Sequence, residues 1–235
     1  MARISTLPKY IQISEMLIRD IAAGQLVDGA RLPPERDMAQ GLGISVGTLR
    51  KALSDLECKG LLERVQGSGN YVRQKVDVSS IYSFFRLETL AGGGLPRARV
   101  LSVDRLPKPV DAPVFGHAAQ GHRIRRLRWL GDEMIALEEI WLDGTVCDEI
   151  QAETLPDSLY LFYRQQLGVV VGAVEDRIGV GRVPQWAPEA FHLPAGHIVG
   201  HIERIGYGGE TMPVEYSRTW YDPERSRYVS RMGRG

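Results

Sequence analysis

Three charged residues near the middle of this 235-residue chain carry the first chemical suggestion. Arg126 and Arg128 stand two apart in the run R-I-R-R-L-R-W-L (123–130), and Glu138 lies in the following apolar run (134–142). Residues two apart on a strand share one face. With a three-residue loop centred on Asp132, Arg126 faces Glu138 across the hairpin. Two guanidiniums beside a carboxylate can grip an anion through paired N–H···O bonds. The same trio can also be a ladder of ion pairs that holds the hairpin and binds nothing. An earlier set has a different chemistry. Ser45, Gly47, Thr48 and Arg50 fall at the start of an expected helix, where hydroxyls and free N–H groups suit phosphates or base edges and an arginine suits guanine. Arg36, one helix earlier, can reach a phosphate or a base. Lys51, Lys59 and Arg64 add positive charge, and the tip Gln66-Gly67-Ser68-Gly69 is slim enough to approach a sugar-phosphate backbone. A plain helical bundle with solvated charges would also accommodate this second set.

Other chemistries lack their residues. Of the five histidines, His197 and His201 have the four-residue spacing of helical metal ligands but fall in an expected strand. His117 and His122 fall in a loop, and His192 ends a short helix, so neither a metal nor a cofactor is expected. Cys58 and Cys147 have no C-x-x-C spacing, which argues against a disulfide framework and a cysteine zinc site. No Ser/His/Asp set, G-x-S-x-G or P-loop is present, so no catalytic residues are expected. No apolar run approaches a membrane span, and the first residues lack the apolar core of a signal peptide, so a cytoplasmic location is expected. The formal net charge is zero, but residues 1–75 carry 11 Lys/Arg against 8 Asp/Glu and the remainder 18 against 21. A slightly basic first third suits a nucleic-acid-binding segment joined to something else.

The elements that position these residues follow from periodicity and punctuation. Ile13, Leu17 and Ile21 recur every four residues and predict a helix over 10–23, stopped by Gly24. Leu26, Val27 and Leu32 are expected to pack the next loop. Pro33-Pro34 opens a short second helix with Met38 and Leu42 inward. Ser45 caps a third whose buried stripe is Leu49, Leu53 and Leu56. Strands over 61–65 and 70–72 flank the glycine tip. A polar linker spans 73–80. Beyond it the pattern is rich in strands, over 98–104, 123–130, 134–142, 169–183, 198–207, 214–221 and finally 228–231. A helix capped by Ser158 runs to Gln166, and a short one is expected over 184–193. The fold class is α+β in two domains, with a mostly antiparallel sheet in the second.

Residues 9–72 resemble the N-terminal domain of the GntR family of bacterial transcription regulators. The resemblance is carried by L-P-P-E-R-D-M-A-Q-G-L-G-I-S-V-G-T-L-R-K-A-L-S-D-L-E-C-K-G-L-L and by Q-G-S-G-N-Y-V. It implies a winged helix-turn-helix in which Arg36, Ser45, Thr48, Arg50 and Gly67 touch DNA, with Gly47, Lys51 and Gln66 beside them. One departure is Val46-Gly47, where the family often has Arg followed by Thr or Ser, so the operator read here can differ from the usual one. The second half resembles the HutC-like branch, whose effector-binding UTRA domain is similar in fold to chorismate lyase. The hairpin over 123–142, S-L-Y (158–160) and P-V-E-Y-S-R-T-W-Y (213–221) carry this second likeness. It implies effector contacts at Arg126, Arg128, Glu138, Ser158, Tyr160, Glu215 and Tyr221, and at Phe85 and Arg86 in S-F-F-R-L (83–87). Sugar-phosphate-binding members have Ser and Thr in that loop; Phe84, Phe85 and Arg86 favour a carboxylate, a sulfonate or an aromatic acid.

The expectation is therefore a DNA-binding head over 1–72, a linker over 73–80 and an effector-binding, dimerising domain over 81–235. Such a chain is a metabolite-responsive homodimer that binds a palindromic double-stranded operator as a repressor and leaves it when a small anionic effector binds. A lyase-like enzyme fused to a DNA-binding head, and a dimeric DNA binder with no effector, are the alternatives.

Overall fold

The computed structural model describes residues 7–73, 82, 84–92, 94–209 and 212–231. The expected linker falls almost wholly outside these, as does Ser83. Contacts divide the chain into two compact units. One holds the residues up to Leu95 together with those from Tyr228 onward, and the other is Pro96–Arg227.

The first unit is built on three helices. In α1 (Lys9–Ala22), Ile13, Met16, Leu17, Ile18 and Ile21 are all buried. Gly24 ends it in the left-handed conformation, with its N–H on the Ile21 carbonyl. Helix α2 (Glu35–Gly41) starts one residue later than expected, because Pro34 takes the N-cap position. Its first turn carries Glu35 and Asp37 where the helix dipole favours negative charge. In α3 (Val46–Cys58), the Ser45 side chain accepts the Thr48 N–H at 3.1 Å, and Leu49, Ala52, Leu53 and Leu56 form the buried stripe. Asp55 ties α3 to α1 by accepting from Ser14, and it pairs with Lys59 at the end of its own helix at 2.7 Å. Strands β1 (Leu62–Val65) and β2 (Gly69–Val72) form an antiparallel hairpin, and Arg31 bridges to Tyr71 on its open side. Leu32 joins the core as expected, but Val27 is 52% exposed. The short strand β3 (Leu87–Thr89) belongs to this unit too.

The second unit is a six-stranded antiparallel sheet. Its strands are β4 (Pro96–Pro107), β5 (Gln120–Leu130), β6 (Glu133–Asp143), β7 (Val171–Arg182), β8 (Ile198–Gly208) and β9 (Met212–Tyr221), in the order β4-β5-β6-β9-β8-β7. The loops over 108–118 and 183–193 cover one face. Phe115 packs on Trp141 and Tyr216, while Trp186 and Phe191 pack on Leu127, Leu137 and Trp220. Most of segment 184–193 is irregular, with a single 3-10 turn at Glu189–Phe191 rather than the expected helix. On the other face lies α4 (Leu159–Phe162), capped by Ser158 and continued by a π turn to Leu167 before Gly168 stops it. Strand β10 (Ser226–Tyr228) begins two residues earlier than the strand expected at 228–231, because a turn tightened on Asp222 brings the chain back sooner.

Candidate DNA-reading surface and effector site

The start of α3 gathers the polar groups that the sequence singled out. Ser45 and Thr48 share a hydrogen bond between their hydroxyls at 2.9 Å, and Gly47 is exposed between them. Arg36, Arg50 and Lys51 lie at the surface. Arg50 is aimed: its Nε donates to Glu35 Oε2 at 2.7 Å, and the other oxygen of Glu35 lies 4.0 Å from the Arg64 guanidinium on β1. One carboxylate on α2 thereby addresses the recognition helix and the wing together. At the wing tip Gln66 is exposed and Gly67 takes φ +76°, a left-handed turn that a side chain would strain. Lys59, expected to face DNA, is instead paired with Asp55 and Glu15 within the helical bundle.

The effector candidates divide. Arg126 and Arg128 are buried on β5 beside Glu138 on β6. The Arg126 Nε and Nη2 both donate to Glu138 Oε2, at 3.1 and 2.6 Å. The Nη1 groups of Arg126 and Arg128 converge on the Asp157 carbonyl, at 3.3 and 2.8 Å. Arg126 does face Glu138, but through a different loop. Gly131-Asp132 is a two-residue turn, and Ile135 is an extra residue bulged out of β6, so the pairing arrives at the register a three-residue loop would give. Burial alone would raise the Glu138 carboxyl, but the two guanidiniums outweigh it and hold the group below its ordinary value.

A second cluster lies on the same sheet face. Tyr160 on α4 donates to Glu215 Oε1 at 2.9 Å, and the fully buried Tyr163 hydroxyl sits beside the same carboxyl. Glu215 Oε2 is buried without a hydrogen-bond partner among the described residues. Burial therefore dominates and raises this carboxyl, and it pushes both phenols well above their ordinary range. Arg204 on β8 reaches the Tyr160 hydroxyl and forks onto Asp176 of β7 at 2.6 and 2.7 Å. Tyr221 lies flat over Gly200, where a Cβ would meet its ring at 2.1 Å. Ser158 is occupied as the cap of α4, accepting the Leu161 N–H at 3.3 Å. Phe85 and Arg86 fall in the first unit: Phe85 lies under the Arg19 guanidinium at 6.0 Å, and the Arg86 carbonyl accepts the Val229 N–H.

Arg204, Asp176, Tyr163 and the Asp157 carbonyl did not emerge from the sequence. Strand alternation assigns Asp176 a face but names no partner, because pairing between β7 and β8 is a tertiary fact. A main-chain carbonyl has no side-chain signature at all. Among the described residues no group of three or more His, Cys, Asp or Glu could hold a metal ion, and no helix is long and apolar enough to cross a membrane.

Residues 9–72 match the family described as bacterial regulatory proteins, gntR family, and residues 91–227 match the UTRA domain. The chain is 54% identical to the HTH-type transcriptional regulator SmoD of Agrobacterium fabrum, over 97% of each protein. It is 25% identical to the HTH-type transcriptional repressor NagR of Bacillus subtilis, over 98% of this chain and 97% of that one. Among solved structures, the possible transcriptional regulator YydK of Bacillus subtilis superposes with a TM-score of 0.54 at 24% identity, covering 97% of this chain and 100% of the other. That last likeness concerns the fold.

Proposed function

Since this chain belongs to the GntR family of bacterial regulatory proteins, in the branch that ends in a UTRA domain, we propose a division of labour between its parts. It is a metabolite-responsive, DNA-binding transcription regulator and not an enzyme. By function, residues 1–72 read DNA, 73–80 link, and 81–235 bind effector and dimerise. In the head, Arg36, Ser45, Gly47, Thr48, Arg50, Lys51, Gln66 and Gly67 form the contact surface, with α3 in the major groove and the wing on the backbone. In the effector domain, Arg126 and Arg128 hold a small anion with Glu138, Tyr160, Glu215 and Tyr221 around it.

The observation that carries this reading is the convergence of the Arg126 and Arg128 guanidiniums on one carboxylate and one backbone carbonyl, buried beside the start of α4. Charge held in fixed geometry away from water is worth more to an anionic ligand than the same charge on the surface. A thermal-shift screen of the full chain against small carboxylates, sulfonates and phosphates, with neutral polyols as controls, tests it. At least one anion should raise the unfolding temperature, and Arg128→Ala should abolish that rise while the variant stays folded. If no anion shifts the wild type, or the variant responds equally, the site is wrong.

The protein acts as a homodimeric repressor of a palindromic operator. The exposed edge strand supports the dimer: Ile178 and Val180 on β7 and Ile198 on β8 are 53, 77 and 57% exposed and lie on one face. Effector-driven release from DNA results if the ligand binds one arrangement of the domains better than another and so alters the spacing of two heads.

A further inference from the structure

The wing carries a cation that comes from outside its own hairpin. Residues 29–32 lie along the free side of β2 as a third short strand. The Leu32 N–H donates to the Asn70 carbonyl, the Val72 N–H to the Ala30 carbonyl and the Gly29 N–H to the Val72 carbonyl, each at 2.9 Å. Arg31 thereby stands opposite Tyr71, while Arg64 on β1 stands opposite Asn70. Successive strand residues point to opposite faces, so Arg31 and Arg64 lie on opposite faces of the wing. The Arg64 face is turned to the helices, where Leu32, Leu62 and Val72 join their core. The Arg31 face is turned away from them.

Arg31 is exposed, and its guanidinium rests on the wing tip. A Cβ on Gly69 would lie 3.1 Å from the Arg31 Nε and 3.6 Å from its Nη2, so the missing side chain is what seats the group there. Nothing neutralises it. Glu63, the one acid between Leu61 and Arg73, is taken by Arg73. Among the described residues Arg31 makes no hydrogen bond and no ion pair, whereas Arg50 and Arg64 meet Glu35 and Lys59 meets Asp55. The tip's own side chains offer little charge or reach. Gly67 and Gly69 have none, and Ser68 is bonded hydroxyl to hydroxyl with Tyr71 at 2.6 Å. The minor groove is only about 6 Å wide, so it admits a slim element. Its negative potential is strongest where A·T runs narrow it, and an inserted guanidinium is drawn to that potential. A loop poor in side chains with an uncompensated guanidinium laid on it has the shape and the charge for such a groove.

We propose that Arg31 is a specificity-determining DNA contact: its guanidinium, seated on Gly69, enters the minor groove and makes the protein prefer A·T pairs at that place. The inference rests on the DNA-binding reading above. It adds to that reading a base preference supplied by a residue of neither the recognition helix nor the hairpin. The lack of a partner is what suits Arg31 to the task. A guanidinium already held by a carboxylate would bring that negative charge into the groove, as Arg64 would bring Glu35.

The probe is a duplex that the full-length wild type selects from a randomised pool. Hydroxyl-radical cleavage reports the sugars that line its minor groove, and dimethyl sulfate reports guanine N7 in its major groove. At saturating protein, Arg31→Ala should lose one block of hydroxyl-radical protection and keep the wild-type dimethyl sulfate pattern, with affinity lower by about tenfold. Replacing the A·T pairs of that block by G·C should weaken the wild type by about tenfold and Arg31→Ala by less than about twofold. Inosine·C pairs present the minor-groove face of A·T, so they should leave the wild type within about twofold. Should Arg31→Ala lose both protections, as an unfolded head would, Arg31→Gln is put through the same test, and loss of both there too overturns the assignment. An unchanged hydroxyl-radical pattern, an equal response of variant and wild type to G·C, or a wild type that rejects inosine·C as strongly as G·C also overturns it, and each leaves the DNA-binding reading standing. A wild type that selects no duplex overturns both.

Discussion

Arg50 meets Glu35 through its Nε, and its Nη1 and Nη2 groups have no partner among the described residues. A guanidinium held by that side presents its far end, with two parallel donors, in the geometry that pairs with guanine O6 and N7. The same carboxylate repels phosphate and so discourages Arg50 from settling on the backbone. Glu35→Ala should therefore lower the ratio of specific to scrambled-duplex affinity by about tenfold, or about 1.4 kcal/mol. Fluorescence-anisotropy titrations of both duplexes read that ratio, and equal losses on the two would reject the role. Glu215 is the other residue with a defined consequence. Its carboxyl is raised by burial in the folded chain. The unfolded chain ionises freely above the ordinary value of 4.5 while the folded one resists, so this group's contribution to stability is lost as pH rises through the range between the two values. Glu215→Gln cannot ionise. Its melting temperature relative to wild type should climb as pH is taken from about 4 upward, and a difference that is flat in pH would contradict the assignment.

At the scale of elements, the hairpin β5–β6 and the helix beside it decide what the site looks like. The arginine pair was legible because strand parity is a covalent property: side chains two apart must share a face. Its partner came from the expected register, and that register is reached by a two-residue turn plus a bulge at Ile135, which sequence spacing alone does not separate from a longer loop. Segment 184–193 shows the reverse. A short helix is expected there, yet Trp186 and Phe191 pack on the sheet from an irregular chain, and packing overrides propensity. Gly200 gives the element-scale prediction. Its missing side chain lets the Tyr221 ring lie on the sheet, so Gly200→Ala should destabilise the fold by about 1–3 kcal/mol through overpacking. Adding Tyr221→Ala should recover most of that loss. Urea unfolding of the single and double variants measures it, and additive losses would mean that the two residues do not share the space.

For the whole molecule, the informative surface is the β7 edge. A strand of 12 residues with Ile178 and Val180 turned to solvent is a template for association unless a partner covers it. If a second copy is that partner, Ile178→Asp with Val180→Asp should shift the sedimentation coefficient from dimer to monomer. Because operator half-sites need two heads, it should also weaken specific DNA binding far more than the salt-dependent, non-specific kind. A variant that remains dimeric places the interface elsewhere.

By itself the sequence determined the three-helix head, its wing and the antiparallel character of the second domain. These are local properties: a serine before a helix, glycines that stop one, apolar residues four apart, arginines two apart. Tertiary structure alone decided that Arg50 is aimed by Glu35 and that Lys59 is taken by the helical bundle. It also placed Arg204 and Asp176 beside Tyr160 and Glu215, and seated Phe85 and Arg86 with the head. Each of these is a pairing between residues distant in the chain. Periodicity tells a side chain which way to point, and only the closed fold supplies the group it meets there.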